Sequence, residues 1–364
     1  MSKNNLSFQL HDIVSKVHTE QKFLTNTEYI SIQRKNNQPR VCKCHKVPLY
    51  TGGEGVEHVQ GVQVRKNKEF GNIYFAGLLH CGSAWVCPIC APRIAEQRCK
   101  EIALAFNKWE DLGEKNKTNN SQVMVSFTIP HVSDQSLKTL RKRFMLSRRN
   151  LKKQQKLRKN PSLQVYSDLK KKYKIKGIIS AIEVTYGFNG WHPHSHDIFF
   201  LEEDLSRSDL EIFRTELTSA WIYACKRSKV KMNKQQEKAM YDHSVKISRA
   251  ATAEQYISKF GIVEYEKNKD VLSPGWGAAQ ELSKNHIKLS YGQEGMTPWQ
   301  MLKLIHDNPD DYSIYLKYGA LFYEYSKVFR GRQQIFWSKN FKNFLNLTDY
   351  ILSDVDVLWQ NSVV

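Results

Sequence analysis

No stretch of this 364-residue chain approaches the ~20 consecutive apolar residues of a membrane-spanning helix, and Met1–Leu10 lacks a signal-peptide apolar core. These absences argue against a helical membrane protein and lead to the expectation of a soluble, cytoplasmic chain with no membrane partner. Acidic residues are scarce: 36 Asp and Glu stand against 55 Lys and Arg, a formal net charge of +19. A surplus of that size is foreign to an ordinary metabolic enzyme and calls for a polyanionic partner, nucleic acid or an acidic surface. No G-x-x-x-x-G-K-[S/T] run occurs, so the chain has no P-loop of its own to power unwinding. No internal repeat is visible, which argues against solenoids and propellers. Seven cysteines without a secretory signal point to metal or buried thiols, not to a disulfide frame.

What the chain does have is histidine, concentrated. Residues 191–200 read Trp-His-Pro-His-Ser-His-Asp-Ile-Phe-Phe. Alternate residues of a strand share a face, so His194 and His196 can converge on one cation. Ile178–Tyr186 reads as a preceding strand, with Phe188-Asn189-Gly190 as the turn of a hairpin. The hairpin brings Glu183 beside the histidines as a third ligand, with His192 as the alternative. Two imidazoles and a carboxylate suit Mg²⁺ or Mn²⁺, with positions left open for a phosphate.

Around this hairpin the elements run β-α-β-β-α-β. Gln122–Pro130 alternates and is a strand, and a helix follows from Ser136. Ser206 to about Lys226 is a helix with a capping start, and Ser244–Ser248 is a short strand followed by a helix over Ala250–Phe260. The order predicts an α+β fold with a split β-α-β, ferredoxin-like core, an antiparallel sheet with helices on one face. Four segments are expected: a polar N-terminal segment to residue 40, a cysteine-rich module with its connecting helix over 41–118, the core over 119–264, and a helical module over 265–364.

Cys87-Pro-Ile-Cys90 is a metal knuckle, with Cys81 just upstream and Cys42-Lys-Cys44-His45 about forty residues earlier. A structural Zn²⁺ takes four N or S ligands in a tetrahedron. Cys81, Cys87 and Cys90 supply three; the fourth is Cys44 or Cys42, with His45 or His80 as substitutes. Between Lys138 and Lys176 sixteen Lys and Arg face a single acid, Asp168. That run predicts a helix with one face on the sheet and a basic face, including Lys152, Lys153, Lys156 and Arg158, on DNA phosphates. Downstream, Tyr256 and Lys259 are three apart on a helical pattern, so hydroxyl and ammonium can meet at one phosphate.

Together these residues resemble the replication initiators of rolling-circle plasmids, in the single-tyrosine branch of the HUH endonucleases. Val125-Ser-Phe-Thr-Ile-Pro-His131 is similar to the first family motif. Gly190-Trp-His-Pro-His-Ser-His196 with Ile182-Glu-Val-Thr185 is similar to the second, and Tyr256-Ile-Ser-Lys259 to the third. The stretch Cys81–Arg98 and the run Phe336-Trp-Ser-Lys339 also resemble pieces of these proteins. The resemblance implies His194 and His196 as ligands of the catalytic metal, Glu183 as the third, and Tyr256 as nucleophile with Lys259 beside it. It implies nicking at a plasmid origin, a 5′-phosphotyrosine link, and a host helicase and DNA polymerase as partners. The chain departs from the pattern in two places: Ser195 lies between the metal histidines, and Thr252 stands where some relatives carry a glutamate. The second departure leaves termination to Glu254 or to Tyr256 of a second subunit in a homodimer. The alternatives to this reading are an HUH transposase or relaxase, and a zinc-containing DNA-binding regulator without catalysis.

Overall fold

The computed structural model describes residues 3–24, 39–51, 58–59, 62–66, 73–153, 166–249 and 295–347. Tyr256, Lys259, Lys156 and Arg158, with Thr252 and Glu254, lie outside the described residues. The fold is α+β, with ten helices and a five-stranded antiparallel sheet among the described residues. The chain forms two compact units, and the division falls at Gln97/Arg98 within helix α3 (Cys90–Asn116).

The first unit gathers the residues up to Gln97 with Pro298–Arg332. It holds α1 (Lys3–Leu24), α2 (Arg40–Lys43) and two small antiparallel ribbons, β1 (Tyr50–Thr51) with β2 (His58–Val59) and β3 (Gln63–Lys66) with β4 (Ile73–Ala76). Its other helices are α8 (Pro298–Asp307) and α9 (Tyr312–Phe329), the tyrosine-rich run expected from sequence. These pack on α1 within the unit instead of standing apart as a terminal module. His11 on α1 bonds the Val41 carbonyl at 2.7 Å, and the Trp85 indole donates to the Arg332 carbonyl at 2.6 Å. Trp85 also lies 4.2 Å from Phe329, centroid to centroid.

The second unit is built on the large sheet. Its strands are β5 (Ser121–Thr128), β6 (Ile175–Gly187), β7 (Gly190–Leu201), β8 (Val245–Arg249) and β9 (Ile335–Trp337), in the order β8-β5-β7-β6-β9. The first four reproduce the expected split β-α-β arrangement, since β7 lies between the parallel pair β5 and β6 and is antiparallel to both. Pro193 is tolerated inside β7 because pairing with β5 ends at the next residue, His194. Helices α4 (Leu137–Lys152) and α5 (Tyr166–Lys172) link β5 to β6, while α6 (Arg207–Arg227) and α7 (Lys234–His243) link β7 to β8. Each start signal is chemical: Ser136 and Ser206 accept from backbone N–H groups of the first turn, and Asn233 with Gln236 closes a capping box.

Each face of the sheet has its own core. Helices α4 and α6 cover one, where Trp221 lies 4.9 Å from Phe127 and 5.9 Å from Phe144, and Phe213 packs on Phe199. The other is covered by the part of α3 beyond Arg98. There Ile102, Phe106 and Trp109 pack on Ile179, Ile198, Phe200 and Phe341. Strand β9 closes the edge beside β6, and Ser338 both accepts from Ile178 N–H at 3.0 Å and donates its own N–H to the Ile178 carbonyl at 2.8 Å. Phe341 begins the short α10 (Phe341–Phe344) and lies flat over Gly177, where a Cβ would overlap its ring. Gly177→Ala should therefore cost about 1–3 kcal/mol of stability, measured by urea unfolding. Gly177→Ala combined with Phe341→Leu should recover part of it.

Candidate metal centres

In the second unit the chemistry sits at one end of the β6–β7 hairpin. The register pairs Glu183 with His194 and Ala181 with His196, so both histidines and the carboxylate project from the same face. His194 Nε2 lies 3.4 Å and His196 Nε2 3.2 Å from the same oxygen, Glu183 Oε2. An octahedral ion with bonds of about 2.0–2.1 Å sets neighbouring ligands roughly 3 Å apart, so the spacing fits one small divalent cation.

The hydrogen bonds behind the ligands support that fit. His194 Nδ1 lies 3.2 Å from the His192 carbonyl, which can only accept, so Nδ1 donates there and Nε2 is the nitrogen turned toward Glu183 and available to a metal. A proton or a cation between that nitrogen and the carboxylate oxygen makes the approach favourable, and the spacing has room for either. His196 Nδ1 is 2.9 Å from Ser126 Oγ on β5, which orients its ring in the same manner. Glu183 is buried while the side chains of His194 and His196 are each 13% exposed, so the carboxylate is shielded and the imidazole side stays open to exchange with solvent.

Three further residues complete this end of the sheet. His192 stacks on His131 at 4.8 Å, and burial, helped by the His194 and His131 imidazoles, pushes its pKa down to about 3. Burial likewise lowers His131. Lys246 on β8 pairs with Ser126 and is exposed, which puts a cation in the row that contains His196. His192, the alternative ligand offered by the sequence, stands outside the Glu183/His194/His196 group, and Lys246 was marked by no spacing. Ser126 and Lys246 become neighbours of His196 only once the strand order is known.

The basic helix divides by face. Arg148 points into the core, where it donates to both carboxylate oxygens of Asp197 at 3.0 and 2.9 Å and to Ser195 Oγ. It is therefore a structural cation within a run that reads as phosphate-binding. Lys152, the last residue of α4, and its C-cap Lys153 are exposed.

In the first unit Cys44, Cys81, Cys87 and Cys90 form a second cluster. Their sulfurs are 3.4 Å (Cys44–Cys90), 3.7 Å (Cys81–Cys90) and 3.7 Å (Cys44–Cys87) apart. Tetrahedral zinc with bonds of about 2.3 Å sets sulfurs roughly 3.8 Å apart, so four thiolates here match that ion. Backbone N–H groups of Cys81 and Cys90 point at Cys44 and Cys87 sulfurs at 3.3 and 3.4 Å, stabilising negative charge on them. Hydrogen bonds from Cys44, Cys81 and Cys87 drive the Cys90 thiol far below its usual pKa, while burial raises Cys87. Cys42 is buried outside the cluster. His45 and His80 also stay outside, stacked edge-on at 4.4 Å, and burial together with His80 lowers His45 to about 4.

Comparison with known proteins gives two relatives. The chain is 26% identical over 329 residues to "Protein rep" of Streptomyces lividans, a match covering 78% of this chain and 67% of that protein. It is 29% identical over 138 residues to "Neomycin resistance protein" of Streptomyces cyanogenus, covering 34% of this chain and 30% of that protein. No protein-family model matches the chain, and no solved structure matches it.

The two centres should differ in metal and in removal. Elemental analysis of the purified chain should find about one zinc, retained through mild chelation and lost in Cys87→Ser/Cys90→Ser together with solubility. Manganese titration followed by calorimetry should show a separate, readily exchanged site. His194→Ala should abolish that site, and Glu183→Gln should weaken it about 10- to 100-fold. Unchanged binding in either variant would move the site elsewhere.

Proposed function

We propose that this chain is a plasmid replication initiator that binds origin DNA and nicks one strand through Tyr256. The observation that carries the reading is the convergence of Glu183, His194 and His196 on one point of the hairpin, in a chain similar over 78% of its length to a protein named "Protein rep". The charge of +19 supports a nucleic-acid partner, and no described helix is long and apolar enough to cross a membrane.

In this reading the scissile phosphate lies against the Glu183/His194/His196 centre. A Mg²⁺ or Mn²⁺ there supplies a Lewis acid that neutralises charge on the phosphate oxygens. Glu183 and the two imidazoles fix its position, with Ser126 and the His192 carbonyl holding the rings. Tyr256 Oη attacks phosphorus, the Oη–P bond forms, and the P–O3′ bond breaks. The phenol loses its proton and the leaving 3′-oxygen gains one. The products are a 5′-phosphotyrosyl link and a 3′-OH, a primer for a host polymerase behind a host helicase. A free tyrosine has a pKa of about 10, and Lys259 stabilises the phenolate. Tyr256 stands seven residues after Arg249, the end of β8, and seven residues reach at most about 25 Å. That reach exceeds the roughly 10–15 Å across the sheet from β8 to the ligand strands β7 and β6, two and three places away. Exposed Lys152 and Lys153, with Lys156 and Arg158, hold flanking phosphates without reading bases. The bond energy is conserved in the phosphotyrosine, so a later 3′-OH can rejoin the strand without ATP.

The test is covalent capture. Incubated with labelled single strands tiled across the origin of the encoding replicon and Mn²⁺, the wild-type chain should give an adduct stable to denaturing electrophoresis. Tyr256→Phe and His194→Ala should each reduce adduct and cleavage by at least about 10³-fold, while Tyr256→Phe leaves DNA affinity within about twofold. An undiminished adduct from Tyr256→Phe would transfer the role to another tyrosine, with Tyr241, 47% exposed on α7, the first to examine. Tight origin binding by wild type with neither adduct nor cleavage would make the chain a zinc-containing regulator.

A further inference from the structure

Among the described residues one large apolar side chain stands almost wholly in solvent: Phe188, 98% exposed, against 67% for Val64, the next most exposed. Lone apolar residues are ordinary on protein surfaces, so its place has to carry the argument. Phe188 and Asn189 form the turn between β6 and β7, at the tip of the hairpin that bears Glu183, His194 and His196.

That tip is clamped from both sides. Gly190 takes the left-handed conformation at φ +80°, and a Cβ there would stand 3.0 Å from Ser133 Cα, so the loop after β5 lies directly against it. On the other flank Tyr186 and Met296 exchange backbone hydrogen bonds, 2.8 Å from Tyr186 N–H to the Met296 carbonyl and 2.7 Å in return. Beneath the turn Tyr186 and Trp191 make an edge-to-face contact at 5.0 Å. The backbone carrying Phe188 is thus fixed while its ring is bare. Such an arrangement costs little entropy on binding a flat partner.

We infer that Phe188 is a stacking platform for a nucleobase of the single DNA strand held at the Glu183/His194/His196 centre. This rests on the reading of the centre as a DNA-nicking site. Five residues of strand separate Phe188 from Glu183, about 17 Å at roughly 3.3 Å each. Bases stacked at about 3.4 Å place the partner within about five nucleotides of the phosphate at the centre. Every base has a π-face, so the contact tolerates any sequence. Paired and stacked bases in a duplex hide those faces, so the platform selects for single-stranded or extruded DNA. The charge of +19 favours this polyanionic partner over a protein surface.

The experiment compares full-length wild type, Phe188→Ala and Phe188→Trp on fluorescein-labelled oligodeoxythymidylate and on a duplex of equal length, by anisotropy. Circular dichroism and manganese uptake serve as folding controls. Phe188→Ala should weaken single-strand binding roughly five- to hundredfold and leave duplex binding within twofold. Phe188→Trp should retain affinity, with its indole emission quenched on binding. Equal single-strand affinity of Phe188→Ala and wild type would overturn the platform while the nuclease reading stands on its adduct. A shift from dimer to monomer in sedimentation with unchanged DNA affinity would likewise overturn it, assigning the ring to a contact between copies. A wild type that neither binds the oligonucleotide nor forms the adduct would remove the nuclease reading and the platform with it.

Discussion

Strand β7 is committed on both of its faces, and the second unit is organised around that fact. Its even-numbered residues present His194 and His196 beside Glu183; its odd-numbered residues present Ser195 and Asp197 to Arg148 on α4. A slip of one residue against β6 would exchange the two sets, burying imidazoles opposite a guanidinium and turning a carboxylate toward Glu183. The ion pair therefore selects against the wrong register while the ladder selects for the right one. Arg148 and Asp197 are 7% and 3% exposed, a depth at which losing one partner typically costs about 3–5 kcal/mol. Replacing both by well-packed apolar residues could be neutral for stability, so the pair is better understood as a specifier of register than as a source of stability.

The two metal centres make different demands on their surroundings. The cysteine cluster is supplied by segments with little regular structure, a short helix turn at Cys44 and the knuckle at Cys87–Cys90. An ion bound there would substitute for the apolar core that such short elements cannot assemble. The Glu/His/His centre stands on a continuous sheet already held by two cores, so its geometry needs no metal to persist. An ion in the first would maintain a fold, and an ion in the second would borrow one.

Much of this was legible in the residues. Period-two alternation around His194 and His196 and the turn after Gly187 were enough to bring Glu183 beside them. The β-α-β-β-α-β order was enough for four of the five strands of the sheet, whereas β9 lies in a segment expected to be helical. Cys44 over Cys42 was undecidable from spacing, because only the left-handed turn at His45 and the bridge from Pro48 to Leu78 settle which thiol meets the knuckle. Arg148 was concealed in a basic run whose uniform charge gives no hint that one member turns inward. The apolar stripe of α3 was visible, but a helix carries no record of which surface it will cover, so the second core was not foreseen. The segment 265–364 read as one helical module, whereas its described part divides at Arg332/Gln333 between the two units.

That division has a bearing on synthesis. The face of α1 emerges first, yet α8 and α9, which cover it, follow more than 270 residues later. At about 5–20 residues per second, the ribosome holds that face without its partners for roughly 15–55 seconds. The edge of β6 is likewise bare until β9 arrives. Neither unit can finish before these late elements have been made, so a translation product that stops ahead of α8 should have neither unit fully closed. Both units are thus sealed by the same late stretch of chain, which is a form of quality control written into the order of the elements.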